Sequence, residues 1–384
     1  MIGLLTFAVA GCGGSSTPAP APAPEGEATG GGEETVSFDG QLKIGFMAPM
    51  TGSEATYGKD MENAAKLAMA EINAKGGVLG KELVMVTGDD ACDPQQATAA
   101  ASKLVSENVV AVVGGYCSGS TLPTVKIYAD ADIPFVIVAA NSTRLIDENV
   151  GKAFMINGTG LHQGEKAVEL FNRIGAKKLA LVHQGDGYSE DLARITQDLW
   201  EAAGNEVVAM EVVNKGEQNF SSIVTSIKSK NPDVVYWTAY FADGGLLIKQ
   251  LRQGGYTGDI VVGDGSNSPQ LLEIAGQASE GVYVTTNPLV EYMPVAKEFI
   301  DNYKSAYSQE PGPYSALAYD GVYLVADAIE RAGSVESAGL IQALADTPEY
   351  QGLSGVISFK DDNTLEQSNF VILQAKGGKW ELAE

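Results

Sequence analysis

Ser118-Gly119-Ser120-Thr121 places three hydroxyls and a glycine where a helix would open. The free N–H groups of a first helical turn, together with the helix dipole, favour an anion. Two or three such N–H groups and a hydroxyl suit a carboxylate. Asn141-Ser142 opens the next connection and can add amide and hydroxyl groups. Asp264, between Gly263 and Gly265, is an acid at a strand end, and a carboxylate there suits an ammonium. Tyr57, Tyr116, Tyr188 and Tyr240 offer aromatic walls with polar tips. Alone, a Ser/Gly turn is an N-cap pattern and an Asp between glycines is a turn residue. An anion site, a cation partner and aromatic walls in concert describe a receptor for a zwitterion such as an α-amino acid.

The elements that must position these groups follow from the hydrophobic pattern. Short β-branched runs alternate with helical ones. The runs predict strands at Leu42–Met47, Leu83–Thr87, Val109–Gly114, Phe135–Ala139, Leu179–His183, Val207–Val213, Val234–Thr238, Ile260–Gly263 and Val282–Thr286. Met61, Ala65, Ala68 and Ile72 share one helical face that ends at Gly76-Gly77. Asp93-Pro94-Gln95-Gln96 reads as N-cap, first-turn proline and capping-box glutamine. Such alternation implies an α/β fold of parallel sheets covered by helices. In these sheets ligands gather at the carboxyl ends of strands, where every residue singled out above falls.

The pattern changes after Thr286. Helices are expected over Met293–Ser308, Tyr314–Ala332 and Ser337–Ala345, then strands at Gly355–Phe359 and Asn369–Gln374. The chain is expected to leave one lobe, add helices to the other and return. That gives residues 41–158 plus 287–350 as lobe 1, residues 159–286 plus 351–384 as lobe 2, and a hinged cleft between them.

The amino terminus carries a separate message. Residues 2–10 are apolar and too short to span a bilayer. Val9-Ala10-Gly11-Cys12 resembles the bacterial lipobox, so residues 1–12 are expected to be a lipoprotein signal, with Cys12 lipidated and tethering the protein to a membrane outside the cytoplasm. No Lys or Arg precedes the apolar run. Residues 13–40, with the run Ala19-Pro20-Ala21-Pro22-Ala23-Pro24, lack apolar periodicity and are expected to form a disordered spacer.

The 384 residues hold 49 acids against 25 bases, a net charge of −24, which argues against nucleic acid as a partner. No Gly-x-Ser-x-Gly elbow, Walker loop or strand-linked Gly-x-Gly-x-x-Gly occurs, so no enzyme activity and no cofactor are expected. His162 and His183 lack metal-ligand spacing with any cysteine, and no metal is expected.

At Lys43-Ile44-Gly45 to Tyr57-Gly58, Ala70 to Gly77, Asp89 to Pro94, Cys117 to Thr121, Val182-His183 with Tyr188, and Ala318-Tyr319-Asp320, the chain resembles the leucine/isoleucine/valine-binding family. These are periplasmic substrate-binding proteins of branched-chain amino-acid ABC importers. The resemblance covers nearly all of residues 41–384. It implies the two-lobed type I periplasmic-binding-protein fold, with mostly parallel sheets flanked by helices and a multi-crossing hinge. It further implies a monomer that closes on an amino acid and delivers it to a membrane permease. By this resemblance Cys92 and Cys117 form a disulfide, Ser118 holds the ligand carboxylate, and the Ala139 carbonyl receives the ammonium. Asn141 stands where leucine binders carry Thr. Tyr188 and Tyr240 close over the ligand, Asp264 stands where Glu usually pairs with the ammonium, and Tyr57 and Tyr314 line the side-chain pocket. Tyr116 replaces an aliphatic residue, which opens the reading to smaller, polar or aromatic amino acids. A ligand sensor, or a receptor for an amide, urea or an aromatic acid, is the alternative on the same fold.

Overall fold

The computed structural model describes Gly3 and residues 37–293, 295–368 and 370–383. Cys12 and the expected spacer lie outside the described residues, apart from Gly3 and the last residues of the spacer.

The first lobe is built on five strands: β1 (Gln41–Ala48), β2 (Glu82–Asp89), β3 (Ala111–Gly114), β4 (Phe135–Ile137) and β5 (Ala153–Met155). They pair in the order β2-β1-β3-β4-β5, all parallel. Four helices connect them: α1 (Ala55–Ala74), α2 (Pro94–Ser106), α3 (Ser118–Asp130) and the one-turn α4 (Arg144–Asp147). Met61, Ala65, Ala68 and Ile72 bury one face of α1. Gly77 N–H closes that helix on the Ile72 carbonyl at 3.0 Å. Asp93 caps α2, accepting from Gln95 N and Gln96 N at 3.0 and 2.8 Å.

The chain then crosses to a second sheet. Its elements are α5 (Gly160–Arg173), β6 (Lys178–His183), α6 (Ser189–Ala202), β7 (Glu206–Val212), α7 (Ser221–Lys230), β8 (Val234–Trp237), α8 (Phe241–Gln253), β9 (Asp259–Val262), α9 (Pro269–Ala275) and β10 (Tyr283–Thr286). A second crossing returns the chain to the first lobe as α10 (Lys297–Tyr307), α11 (Ser315–Ala332) and α12 (Ser337–Ala345). A hairpin of β11 (Tyr350–Gln351) and β12 (Val356–Ile357) follows. A third crossing brings β13 (Val371–Lys376) and β14 (Lys379–Leu382) onto the second sheet, whose order is β14-β13-β10-β9-β8-β6-β7. β13 runs antiparallel to β10, and β14 runs antiparallel to β13. Trp200, Trp237, Phe171 and Tyr236 fill its core, with Phe171 edge-on to Trp200 at 5.5 Å.

Three differences from the sequence expectation have local causes. β5 and β14 carry too few residues for a period-2 signal, and β14 exposes most of its side chains at a sheet edge. The strand expected at Gly355–Phe359 is only the two-residue β12, and it joins neither main sheet. The return to the second lobe also comes later than residue 351. Asp320 on α11 accepts from Leu353 N, Ser354 N and Ser354 Oγ. Met155 N donates to the Asn363 carbonyl, and Phe359 packs on Phe154. Groups of the first lobe thus hold this segment as far as Asn363, and the crossing falls between it and β13.

The crossings are tied together. Asn157 Nδ2 donates to the Ala139 carbonyl at 2.6 Å, and Asn287 Nδ2 donates to Asn157 Oδ1 at 2.9 Å. A Cβ on Gly158 would sit 2.5 Å from both Phe370 and Ser368, so the first crossing lies directly on the third.

Candidate functional site

Both sheets present the carboxyl ends of their strands to one small cavity, with room for about 10 Å³. From the first lobe it is lined by Tyr116 after β3, Ala139 and Asn141 after β4, and Tyr314, which precedes α11. From the second come Tyr188 after β6, Tyr240 after β8, and Asp264 with Gly265 after β9. Seven of the nine expected ligand-binding residues therefore meet at one place. The other two, Ser118 and Tyr57, stand one layer behind.

Ser118 is buried at the start of α3, where its Oγ accepts from Asn141 N at 3.3 Å and Ser142 N at 3.2 Å. It clamps the loop after β4 to the helix amino terminus. Cys92 and Cys117 form a disulfide with Cα atoms 5.4 Å apart, immediately before that helix. The bridge joins the loop after β2 to the segment carrying Tyr116 and Ser118. Tyr57 stacks on Tyr116 at 5.0 Å and donates to the Asn267 carbonyl across the cleft at 2.9 Å. Tyr314 meets both rings edge-on, at 5.7 Å from Tyr57 and 5.3 Å from Tyr116. Tyr188 and Tyr240 continue the wall 5.4 Å apart. Burial raises the pKa of all five phenols well above 10, so each keeps its proton and can donate.

Asp264 is the centre of this arrangement. It is 2% exposed. Tyr188 Oη donates to its Oδ1 at 2.7 Å, Gly265 N donates to the same oxygen at 3.0 Å, and Asn141 Nδ2 reaches its Oδ2 at 3.3 Å. Burial raises its pKa, and the Tyr188, Gln163 and Tyr314 side chains and the Gly265 N–H pull it part of the way back. Among the described residues no Lys or Arg forms an ion pair with it. A buried carboxylate surrounded by neutral donors and lacking a cation is an electrostatic vacancy for a positive group.

Several groups that hold the site together have no signal in the sequence. Asp191 on α6 accepts from Ser142 Oγ, Thr143 N and Thr143 Oγ1, so the second lobe grips the loop after β4. Gln163 on α5 accepts from Asn141 and donates to the Thr285 carbonyl. Asp60 on α1 accepts from Tyr303 Oη, Gly312 N and Ser315 Oγ, which sets Tyr314 at the mouth of its helix. Asp60, Gln163 and Asp191 read locally as ordinary polar faces of helices. Glu54, at the start of α1, is also buried. The two histidines do structural work: His162 takes the Thr159 N–H to cap α5, and His183 takes the Gly185 N–H.

The lobes touch backbone to backbone at Gly119 and Gly187. A Cβ on Gly187 would meet Gly119 Cα at 3.2 Å and Gly119 N at 3.3 Å. The two glycines allow the lobes to approach this closely.

Comparison with known proteins finds relatives over most of the chain. The periplasmic binding protein family model matches residues 41–379. A Leu/Ile/Val-binding protein of Citrobacter freundii is 34% identical over 285 residues, which is 74% of this chain and 78% of the relative. A leucine-, isoleucine-, valine-, threonine- and alanine-binding protein of Pseudomonas aeruginosa is 31% identical over 87% of this chain and 89% of its own length. Among solved structures, a leucine binding protein from Thermotoga maritima superposes with a TM-score of 0.84 at 30% identity, covering 89% of this chain and 98% of that one. The branched-chain amino acid transporter substrate binding protein of Streptococcus pneumoniae, in complex with isoleucine, gives a TM-score of 0.82 at 30% identity over 90% and 99% of the two chains.

Proposed function

This chain belongs to the periplasmic binding protein family, and from that premise we propose that it binds an α-amino acid between its two lobes and presents it to an ABC permease. The observation that carries the reading is Asp264, a buried carboxylate held by neutral donors and without an ion pair to Lys or Arg among the described residues. A ligand ammonium supplies the missing charge. The ligand carboxylate goes to the amino terminus of α3 and the loop that Ser118 clamps to it. Ser118 acts there mainly by holding the N–H groups of Asn141 and Ser142 in place. The Ala139 carbonyl, already taken by Asn157, has a second lone pair for the ammonium.

The mechanism is hinge closure without covalent chemistry. Ligand contacts come from both lobes, so the ligand favours the closed arrangement by its differential affinity for it. The relatives' names support a branched-chain or small aliphatic ligand, while Tyr116 and Asn141 support a smaller, polar or aromatic one. We assign Cys12 the role of lipid anchor and residues 13–40 that of spacer, in an extracytoplasmic monomer. The cluster of tyrosines favours a second reading, an aromatic acid, and the negative charge of Asp264 opposes it.

A thermal-shift screen against the twenty amino acids and their amides tests the proposal, since stabilisation follows occupancy. An upward shift with one or more amino acids is expected. Shifts produced only by aromatic acids, urea or amides would refute it.

A further inference from the structure

We propose that the cleft contains a second cation site, at Glu54, which selects an α-amino acid whose short side chain ends in an ammonium or guanidinium group. The inference rests on the amino-acid reading for the orientation of the ligand and extends it to the far end of the side chain.

Glu54 precedes α1 and is 1% exposed. Neither of its carboxylate oxygens has a hydrogen-bond partner, and the hydroxyl of Tyr116 is likewise buried and unpartnered. The hydroxyls of Tyr116 and Ser53 ease the burial of the carboxylate, yet neither forms a hydrogen bond with it. The negative charge of Glu54 is felt by the phenols of Tyr57, Tyr116 and Tyr240. Glu54 stands one turn before Tyr57, whose N–H donates to the Glu54 carbonyl at 3.0 Å, and Tyr57 stacks on Tyr116 of the cavity wall, so the carboxylate lies behind that wall. Tyr57 and Tyr240 lie within the fields of both Glu54 and Asp264. The ring cluster is therefore flanked by two buried acids.

Among the other charged groups near Glu54, Lys215 eases its charge only in part. Lys215 is exposed, with its ammonium over the Tyr240 ring at 5.9 Å, and it makes no ion pair with Glu54. Asp243 adds negative charge from the second lobe while accepting from Gly216 N and Gln184. Asp90, on the loop after β2, is fully buried with one carboxylate oxygen unpartnered. Aromatic faces and unpaired acids together attract a desolvated cation and repel an anion. An aliphatic side chain would leave Glu54 and Tyr116 without partners, the costly outcome for buried polar groups.

The test is calorimetric titration of the purified protein with L-ornithine and L-lysine against their neutral counterparts L-norvaline and L-norleucine, with 1,4-diaminobutane as a ligand lacking the carboxylate. A basic amino acid is expected to bind at least tenfold more tightly than its neutral counterpart. E54Q, with its fold checked by circular dichroism, is expected to bring that ratio close to one. Norvaline or norleucine binding as tightly as the basic pair would overturn the second site and leave the amino-acid reading intact. So would a preference that survives in folded E54Q. Binding of diaminobutane, weakened in E54Q, with no amino acid bound would uphold the site and overturn the amino-acid reading. Binding of none of the five would overturn the site.

Discussion

Asp264→Asn separates the ammonium role of this residue from a structural one, because the two predict effects of different sign. The side chain keeps its size, and one amide oxygen can still accept from Tyr188 Oη and Gly265 N. The other position becomes an NH2 group facing Asn141 Nδ2, now donor against donor. Losing one partner of a buried, hydrogen-bonded charge pair costs about 2–5 kcal/mol. The amide oxygen can still take one ammonium proton, which puts the loss near the lower end, about 2–3 kcal/mol, or roughly 30- to 150-fold in Kd. The ligand-free protein should melt no lower than the parent, because the substitution removes a buried charge that has no cation. An aromatic carboxylate should bind the variant more tightly, since a repulsive negative charge is gone. Calorimetry gives the Kd values and differential scanning calorimetry the melting points. Amino-acid affinity within threefold of the parent would refute the ammonium assignment. So would a loss of affinity that is matched by a comparable fall in the ligand-free melting point.

Gly187→Val should prevent closure, since even a single Cβ already meets Gly119 at 3.2 Å; small-angle scattering should lose its ligand-induced contraction, and a contraction equal to that of the parent would refute the contact. Replacing Cys92 and Cys117 together by Ser frees a loop with a sequence separation of 25 residues. Denaturant unfolding should show a loss of about 3 kcal/mol, and an unchanged midpoint would count against any stabilising crosslink. Burial raises the Glu54 pKa from 4.5 to about 7. Where closure buries this group, the closed form holds its proton more tightly than the open form. Affinity for a neutral-tailed amino acid should therefore be greatest below pH 4.5 and fall as pH rises to about 7, by at most about 3 kcal/mol. E54Q should flatten that fall when Kd is measured at pH 5 and pH 8, and an equal pH dependence in both proteins would exclude Glu54 as its source.

Much of the frame is legible along the chain because it rests on local periodicity. Runs such as Leu179–His183 and Val234–Thr238 are short, β-branched and bounded by turn residues, and they became β6 and β8 almost residue for residue. The Asp93 cap depends on neighbours two and three positions away, so it too can be read directly. Elements without periodic content escaped: β5 has three residues, and β12 has two, just after a segment held by Asp320, 34 residues before Ser354.

Residue types at strand ends point to Tyr116, Asn141, Tyr188, Tyr240 and Asp264. The amino-acid sequence by itself determined which chemical groups stand at the ends of which strands, because alternation fixes where strands stop. Only the tertiary structure decided which of those groups meet and which acids lose their water. Tyr188 reaches Asp264 across 76 residues, and Asn141 reaches it across 123. Glu54 looks like any acid at a helix start until folding buries it and leaves its oxygens without hydrogen-bond partners. Burial and pairing are properties of surfaces brought together by folding, and no local pattern encodes them.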